Sequence, residues 1–152
     1  MNECQCYICK GACERKPGWF LPKEAELVAE YLEIEFIDLF KTNLAVDYWM
    51  GDSPIFLLSP TTINNTPGIE FPFDPKGQCI FFKKGLCEIH PVKPYECRDS
   101  MCTNSSDENN ERHKKVAEAW KNYQDQIKKL LGRDPEIEEP GLFDVLSLFG
   151  SL

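Results

Sequence analysis

The chain has 152 residues, of which 42% are hydrophobic and 28% charged, which is typical of one folded domain. Its formal net charge is −8, with 25 acidic against 17 basic residues. Because phosphate backbones are bound by basic surfaces, this balance argues against nucleic acid as a partner. No stretch approaches the ~20 consecutive apolar residues of a membrane span, so we expect no membrane partner.

The compartment is inferred from the first residues of the chain. Residues 1–10 contain no apolar core of the kind found in a secretory signal. We therefore expect a cytoplasmic protein, in which thiols stay reduced and clustered cysteines more often bind metal than form disulfides. The eight cysteines are also enough for four disulfides, and the sequence leaves that alternative open.

Four cysteines crowd the N-terminus: Cys4, Cys6, Cys9 and Cys13. The last three have the spacing Cys-x2-Cys-x3-Cys. Two intervening residues let a tight turn direct both thiolates at one ion, and a turn containing Gly11 precedes the third. The segment therefore predicts half of a metal site, with Cys6, Cys9 and Cys13 as ligands.

Two helices and a pair of extended segments are predicted between the cysteine groups. Pro22 begins a helix with apolar residues at helical spacing, and a second short helix covers Glu35–Lys41. Leu44–Met50 and Ile55–Leu58 are aromatic or β-branched runs around a Gly-Asp-Ser-Pro turn, which indicates a hairpin or two extended segments. Four prolines predict a long loop over Ser59–Gln78.

The second cysteine group has the spacing Cys79-x7-Cys87-x9-Cys97-x4-Cys102. Lys84-Gly85 forms a natural turn, so Cys79 and Cys87 are expected to face each other across a hairpin. A short helical turn is predicted to carry Cys97 and Cys102. Two distant groups complete one coordination sphere only if the fold closes on them, so metal binding would contribute to folding.

The residues after the cysteines predict two helices. The first is a long amphipathic helix of about residues 107–132, with one apolar stripe and Gly132 as its C-cap. The second is a tail helix of about residues 141–150, which either closes the core or docks a partner; we favour closing the core. The chain, residues 1–152, is thus predicted to be a single metal-stapled domain, mainly α, with irregular cysteine-rich loops and a short hairpin as an open alternative.

The ordered motifs resemble the YkgJ-like cysteine-cluster family, which is described as zinc- or iron-chelating. That family has an N-terminal CxxCxxCC-like element, a helical spacer, and a block similar to C-x-F-L, C-x-I-Y and R-P-x-x-C-R. The matching runs here begin at Cys79, Cys87 and Lys93, and the resemblance covers roughly residues 6–102. Two positions depart from the pattern: Ala12 stands where the cysteine doublet would begin, and Lys93 replaces the usual Arg. The resemblance implies a Cys-ligated metal but no reaction.

Seven cysteines are predicted to bind the metal: Cys6, Cys9, Cys13, Cys79, Cys87, Cys97 and Cys102. The Cys-x2-Cys-x3-Cys triplet with one remote cysteine suits a [4Fe–4S] iron–sulfur cluster, which we favour, while four thiolates also suit zinc. Whether Cys4 is a ligand stays open. His90 is a candidate ligand or proton carrier inside the cysteine block, although a role at the surface or behind the ligands is favoured. His113 is placed on the solvated side of the long helix.

Three classes of function fit a cysteine-ligated centre. We rank a metal-binding module first, with a protein or small molecule as its partner. An iron–sulfur redox or modification enzyme, acting through an open metal position or a spare cysteine, ranks second, and metal trafficking or sensing third. No glycine-rich fingerprint for an organic cofactor occurs, and no carboxylate pair has spacing that suggests acid–base catalysis, so no catalytic residue is predicted.

Overall fold

The computed structural model describes residues 17–72, 77–94 and 106–137. These residues contain four α-helices: α1 (Glu24–Leu32), α2 (Phe36–Asn43), α3 (Ser106–Ala119) and α4 (Gln124–Leu131). They also contain two antiparallel hairpins: β1 (Leu44–Met50) with β2 (Pro54–Pro60), and β3 (Phe82–Lys83) with β4 (Leu86–Cys87). Two 3₁₀ turns cover His90–Val92 and Lys121–Tyr123. The prediction of a mainly α fold is wrong, because the described residues form a mixed α and β structure.

The β1–β2 hairpin is the element that the mainly α prediction undervalued. Its register pairs Leu44 with Pro60 and Met50 with Pro54, which leaves a three-residue loop between the strands. The first four residues of β1 and the last four of β2 are buried. Because successive side chains of a strand point to opposite faces, both faces of the hairpin are covered there. The sequence of such a strand is an apolar run without clear alternation between apolar and polar residues. Of the two predicted alternatives for this segment, the hairpin is correct.

The helices α1 and α2 form a corner before β1. α1 begins at Glu24, after a turn that contains Pro22. The Oε1 atom of Glu24 accepts a hydrogen bond from the N–H of Leu21 at 2.7 Å, and the N–H of Glu24 donates to the carbonyl of Leu21 at 3.0 Å. This reciprocal pairing satisfies groups that a helix start otherwise leaves open. The helix then buries one face against the core, with Ala25, Val28 and Ala29.

One hydrophobic core joins all four helices and the β1–β2 hairpin. Its large side chains have relative exposures below 2%: Phe20, Val28, Leu39, Phe40, Leu44, Val46, Leu57, Leu58, Phe81, Ile89, Trp120 and Ile127. Burying an aliphatic or phenyl side chain stabilises a fold by roughly 1.5–3 kcal/mol relative to leaving it exposed. The described segments therefore depend on one another for their stability.

Both outer edges of the β1–β2 hairpin are occupied. On the β1 side, the segment around Glu70 runs parallel to the strand. There Val46 donates to the carbonyl of Ile69 at 3.0 Å and accepts from the N–H of Phe71 at 2.9 Å. On the β2 side, the N–H of Phe20 donates to the carbonyl of Leu58 at 3.0 Å. Covered edges leave few unpaired backbone groups to recruit another strand.

The long helix predicted over residues 107–132 is divided at Trp120. The fully buried Trp120 donates from Nε1 to the carbonyl of Phe20 at 2.7 Å. The 3₁₀ turn that follows rotates the chain, so Tyr123, which the periodic pattern assigned to the apolar stripe, is exposed. The same turn brings Gln124 to the edge of β2, where its side chain accepts from the N–H of Phe56 and donates to its carbonyl, both at 2.9 Å. Gly132 then ends α4 with a φ of +76°.

Two further points concern membrane-spanning helices and the predicted tail helix. Within residues 17–72, 77–94 and 106–137, no helix combines the length and the apolar character that crossing a bilayer requires. The tail helix predicted at about residues 141–150 lies outside the described residues.

After α4, the chain is fixed to the segment beside β1 by a charged clamp. Arg133 donates from Nη1 to Oε2 of Glu70 at 2.5 Å and from Nη2 to Oε1 at 2.6 Å. The N–H of Glu136 donates to the same carboxylate at 2.7 Å. The hydrogen bonds from Arg133, and after them the one from Glu136, lower the pKa of Glu70 against the opposing effect of burial.

The substitution Glu70→Gln should remove a pH-dependent contribution to stability. Because folding lowers the pKa of Glu70, the carboxylate stabilises the folded state above its unfolded value of about 4.3, and this contribution is lost as pH falls through the lower folded pKa. The free energy of unfolding of the wild type minus that of the variant should be constant between about pH 6 and 8 and shrink below about pH 4.5. Urea unfolding at each pH measures it, with Glu136→Gln as control because it retains the backbone N–H. A difference that grows toward acid would contradict the expectation.

The substitution Gln124→Ala should expose the edge of β2. It removes two hydrogen bonds to the backbone of Phe56, each worth roughly 0.5–1.5 kcal/mol, so the free energy of unfolding should fall by about 1–2 kcal/mol. Denaturant unfolding followed by circular dichroism measures the change. Gln126→Ala, the same replacement two residues further along α4, is the matched control. Equal losses in both variants would show that the pairing with Phe56 contributes nothing.

Candidate metal centre

Two of the seven predicted ligands, Cys79 and Cys87, belong to the described part of the chain. The other five lie outside the described residues, as does Cys4: Cys6, Cys9, Cys13, Cys97 and Cys102. Cys79 is buried and Cys87 is half-buried. The structure therefore shows the scaffold that holds this central pair of cysteines.

The β3–β4 hairpin presents Cys87. Its two-residue turn consists of Lys84 and Gly85, whose φ values are +53° and +77°. Positive φ at both central residues defines a type I′ turn, which matches the twist of the flanking strands. Phe82 lies directly opposite Cys87 in the ladder. The predicted turn is therefore correct, but the residue that faces Cys87 across the hairpin is Phe82 and not Cys79.

Cys79 is held by the segment that follows β2. It pairs with Thr62 in an antiparallel bridge, and the backbone hydrogen bonds lie at the flanking residues, at 3.0 Å each. Thr62 and Cys79 are thus a non-hydrogen-bonded pair, the arrangement in which opposite side chains approach most closely. The N–H of Phe82 donates to the carbonyl of Cys79 at 3.0 Å, so a tight turn leads from Cys79 directly into β3.

A small polar network surrounds Thr62, beside Cys79. The Thr62 hydroxyl donates to Oδ1 of Asn64 at 2.8 Å and accepts from Nδ2 of Asn65 at 2.6 Å. Gly77 has a φ of +150°, and a Cβ atom there would overlap the side chain of Asn64. These residues lie in the segment predicted as a long loop, and their ordering role is not part of that prediction. The signal was the Thr-x-Asn-Asn run, because such side chains order turns by bonding locally.

The residues after β4 include an exposed histidine, His90, and a buried lysine, Lys93. The 3₁₀ turn at His90–Val92 packs against α1, with Ile89 fully buried before it and His90 exposed. This exposure fits the surface role that the sequence favours for His90. Lys93, four residues before Cys97, has a relative exposure of 9%. A buried cation needs negative charge or hydrogen-bond acceptors near it.

The side chain of His113 is half-buried in an aromatic cluster, so its predicted solvation is wrong. Its ring centroid lies 4.9 Å from that of Trp19 and 6.3 Å from that of Trp49, and the two indoles meet edge to face at 6.1 Å. Nε1 of Trp19 donates to Oδ2 of the buried Asp47 at 2.9 Å. The prediction failed because α3 packs on β1 and β2 across a face wider than its apolar stripe. This cluster fixes Trp19, six residues after Cys13, to α3.

The described residues do not form a complete metal site by themselves. Within 17–72, 77–94 and 106–137, no group of three or more His, Cys, Asp or Glu side chains could hold an ion.

Comparison with known proteins leaves the family open. No family model, no curated protein and no solved structure matches the chain. The resemblance to the YkgJ-like family stays a prediction, which rests on the order of the cysteine motifs.

Substitutions in the Lys84-Gly85 turn should change stability in opposite directions. Gly85→Ala places a Cβ atom at a φ of +77°, which costs about 1 kcal/mol even though the space around it is open. Lys84→Asn should gain a few tenths of a kcal/mol, because asparagine adopts positive φ more readily than lysine. Thermal unfolding of the purified protein measures both. Lys83→Asn, outside the turn, is the control, and a gain there equal to that of Lys84→Asn would contradict the turn argument.

Proposed function

We propose that this protein is a cytoplasmic metal-binding protein of the YkgJ-like type, with a centre formed by thiolates from both cysteine groups. The ligands are Cys6, Cys9, Cys13, Cys79, Cys87, Cys97 and Cys102. One observation carries the proposal: Cys79 is buried in the same hydrophobic core as Trp19, Ile89 and Val116, which lie on the segments leading to the other cysteines.

The lengths of those leading segments support a common centre. Trp19 is six residues after Cys13, and the buried Pro94 is three residues before Cys97. Because a chain spans at most about 3.6 Å per residue, Cys97 lies within roughly 11 Å of Pro94, and Cys13 within roughly 22 Å of Trp19. Both segments are therefore short enough to bring their thiolates to the core that contains Cys79.

Local positive charge also supports a thiolate centre. The chain as a whole has a net charge of −8, yet the region around the central cysteines carries Lys83, Lys84 and the buried Lys93. Lys83 is exposed and forms an ion pair with Glu88 at 2.6 Å. Cations near thiolates stabilise the deprotonated form that binds metal.

We favour a [4Fe–4S] cluster over zinc. The Cys-x2-Cys-x3-Cys triplet with a remote fourth cysteine matches the way such clusters are bound, and their thiolate complexes carry net negative charge. A four-thiolate zinc site is the competing assignment. In either case the metal would contribute free energy to folding, because the ligands come from separate parts of the chain.

One feature favours a second candidate function, that of an iron–sulfur redox or modification enzyme. Cys87 is half-buried on the hairpin, whereas Cys79 is buried. A cysteine within reach of solvent suits a role in which it leaves the metal, reacts, or hands metal to another protein. Metal trafficking or sensing would use the same residue and ranks third.

Metal content after strictly anaerobic purification tests the proposal. We expect iron with inorganic sulfide and an absorption band near about 400 nm that bleaches on reduction, as thiolate-bound clusters show. Cys6→Ser, Cys9→Ser and Cys97→Ser should each lose the metal, because serine is a poor ligand for these ions. Ile63→Ser, at an exposed position beside the Thr62–Cys79 pair, is the control and should keep it.

The outcomes of this experiment separate the alternatives. Colourless protein with stoichiometric zinc would replace the cluster with a zinc site and leave the ligands in place. Unchanged metal content in one cysteine variant would remove that residue from the site. Folded, metal-free protein in which thiol titration finds every cysteine oxidised would overturn the proposal in favour of disulfides.

A further inference from the structure

An apolar stripe lies on the outer side of α1 and continues into α2. It consists of Leu27, Tyr31, Ile34 and Ile37, whose relative exposures are 50%, 47%, 39% and 40%. Leu27 and Tyr31 are one helical turn apart, a spacing that places side chains on one side of a helix. Ile34 lies at the corner after α1, and Ile37 lies in the first turn of α2. The opposite side of α1 packs into the core through Ala25, Val28 and Ala29.

The end of α1 holds Ile34 in place. Glu33 has a φ of +59°, and its N–H donates to the carbonyl of Glu30 at 3.1 Å. The N–H of Ile34 reaches back to the carbonyl of Ala29 at 3.0 Å. This pair of hydrogen bonds is the Schellman arrangement, in which the left-handed position usually belongs to glycine. The corner is therefore rigid, and it presents Ile34 at the end of the stripe.

The charged residues from Glu24 to Asp38, along α1 and the first turn of α2, are all acidic. Five of them are exposed and alternate along the chain with the apolar residues of the stripe: Glu26, Glu30, Glu33, Glu35 and Asp38. The sequence contains no lysine or arginine between Lys23 and Lys41. Elsewhere, exposed apolar residues of similar size have other neighbours; Leu86, for example, follows Lys83 and Lys84 on the β3–β4 hairpin. Residues 26–38 thus combine exposed apolar side chains with exposed acids and contain no cation.

We propose that this surface docks a basic amphipathic helix of a partner protein, with apolar side chains on the stripe and Lys or Arg against the exposed acids. Its complement is a helix with apolar residues at i, i+3, i+4 and i+7 and cations beside them. Opposite charge raises the association rate and selects the partner, while the apolar contacts supply most of the affinity. The proposal goes beyond metal binding and does not depend on it.

Electrostatic repulsion disfavours the other candidate occupants of this surface. The chain's own C-terminal residues after α4 carry Asp134, Glu136, Glu138, Glu139 and Asp144 but only one cation, Arg133. Those acids would be repelled by the exposed acids of residues 26–38, and so would an anionic lipid surface. A symmetric contact between the same surfaces of two copies would place like charges opposite each other, which costs free energy.

A labelled model peptide tests the proposal on the purified protein, residues 1–152. The probe is a Leu/Lys peptide of about four helical turns with leucines at helical spacing, and fluorescence anisotropy reports binding. We expect the double substitution Leu27→Ser and Ile34→Ser to weaken binding by about tenfold. Glu30→Gln with Glu33→Gln should weaken it about threefold and reduce its dependence on salt. Leu86→Ser, which removes a more exposed leucine, should leave affinity within about twofold.

Three further measurements make the result decisive. A scrambled peptide of the same composition, without helical spacing, should bind at least about tenfold more weakly; equal binding would reduce the interaction to bulk charge and overturn the proposal. Tyr31→Ser alone should weaken binding without changing thermal stability, which separates loss of contact from loss of fold. Self-association in sedimentation, or binding to anionic phosphatidylglycerol vesicles, that is abolished by Leu27→Ser and Ile34→Ser would assign the surface to another occupant and overturn the proposal.

Discussion

In a two-stranded sheet both strands are edge strands, so each has a row of backbone groups without a partner in the sheet. The need to pair or cover these groups shapes the whole described structure. The β1–β2 hairpin would be at best marginally stable alone, because half of its backbone groups would lack partners and both faces would be wet. The segment around Glu70 occupies one edge, while Phe20 and the amide of Gln124 occupy the other. The break at Trp120 serves this need, because it directs α3 into the core and α4 onto the edge of β2. Residues nearly 70 positions apart therefore act as one unit.

Local signals predicted the local elements well. Composition and the Gly-Asp-Ser-Pro turn located the strands near residues 44–58, and the Lys84-Gly85 pair located a turn that the backbone dihedrals of those residues identify as type I′. The errors came from tertiary contacts. Periodicity alone continued one helix through Trp120, because nothing in a 3.6-residue pattern records that its indole binds the carbonyl of Phe20. The mainly α prediction failed for a related reason. It gave most weight to the long helical segments, whereas the helices pack on a short hairpin that is buried on both faces.

In the cysteine region, too, the spacing of residues predicted a local turn but did not predict which residues lie opposite each other. The spacing predicted that Cys79 and Cys87 face each other across a hairpin. The register of β3 and β4 instead places Phe82 opposite Cys87. The neighbour of Cys79 is Thr62, from the segment after β2, and no count of residues between cysteines could have found it. His113 gives a parallel case, since its helix packs on two strands and turns a nominally polar position toward two indoles. Which cysteines share a metal is likewise a question of tertiary structure, and spacing alone limits it without deciding it.

The amide of Gln124 has a consequence for the behaviour of the protein under stress. The strand that it covers contains Ile55, Phe56, Leu57 and Leu58 in a row, a short apolar run of high β-propensity without charge. If α4 detaches while the core persists, this edge becomes a template for strands of other molecules. Loss of α4 by truncation or proteolysis would then produce aggregation before it produces a soluble unfolded chain. One glutamine side chain, standing in for a third strand, thus protects the protein in its partly opened states as well as in its native one.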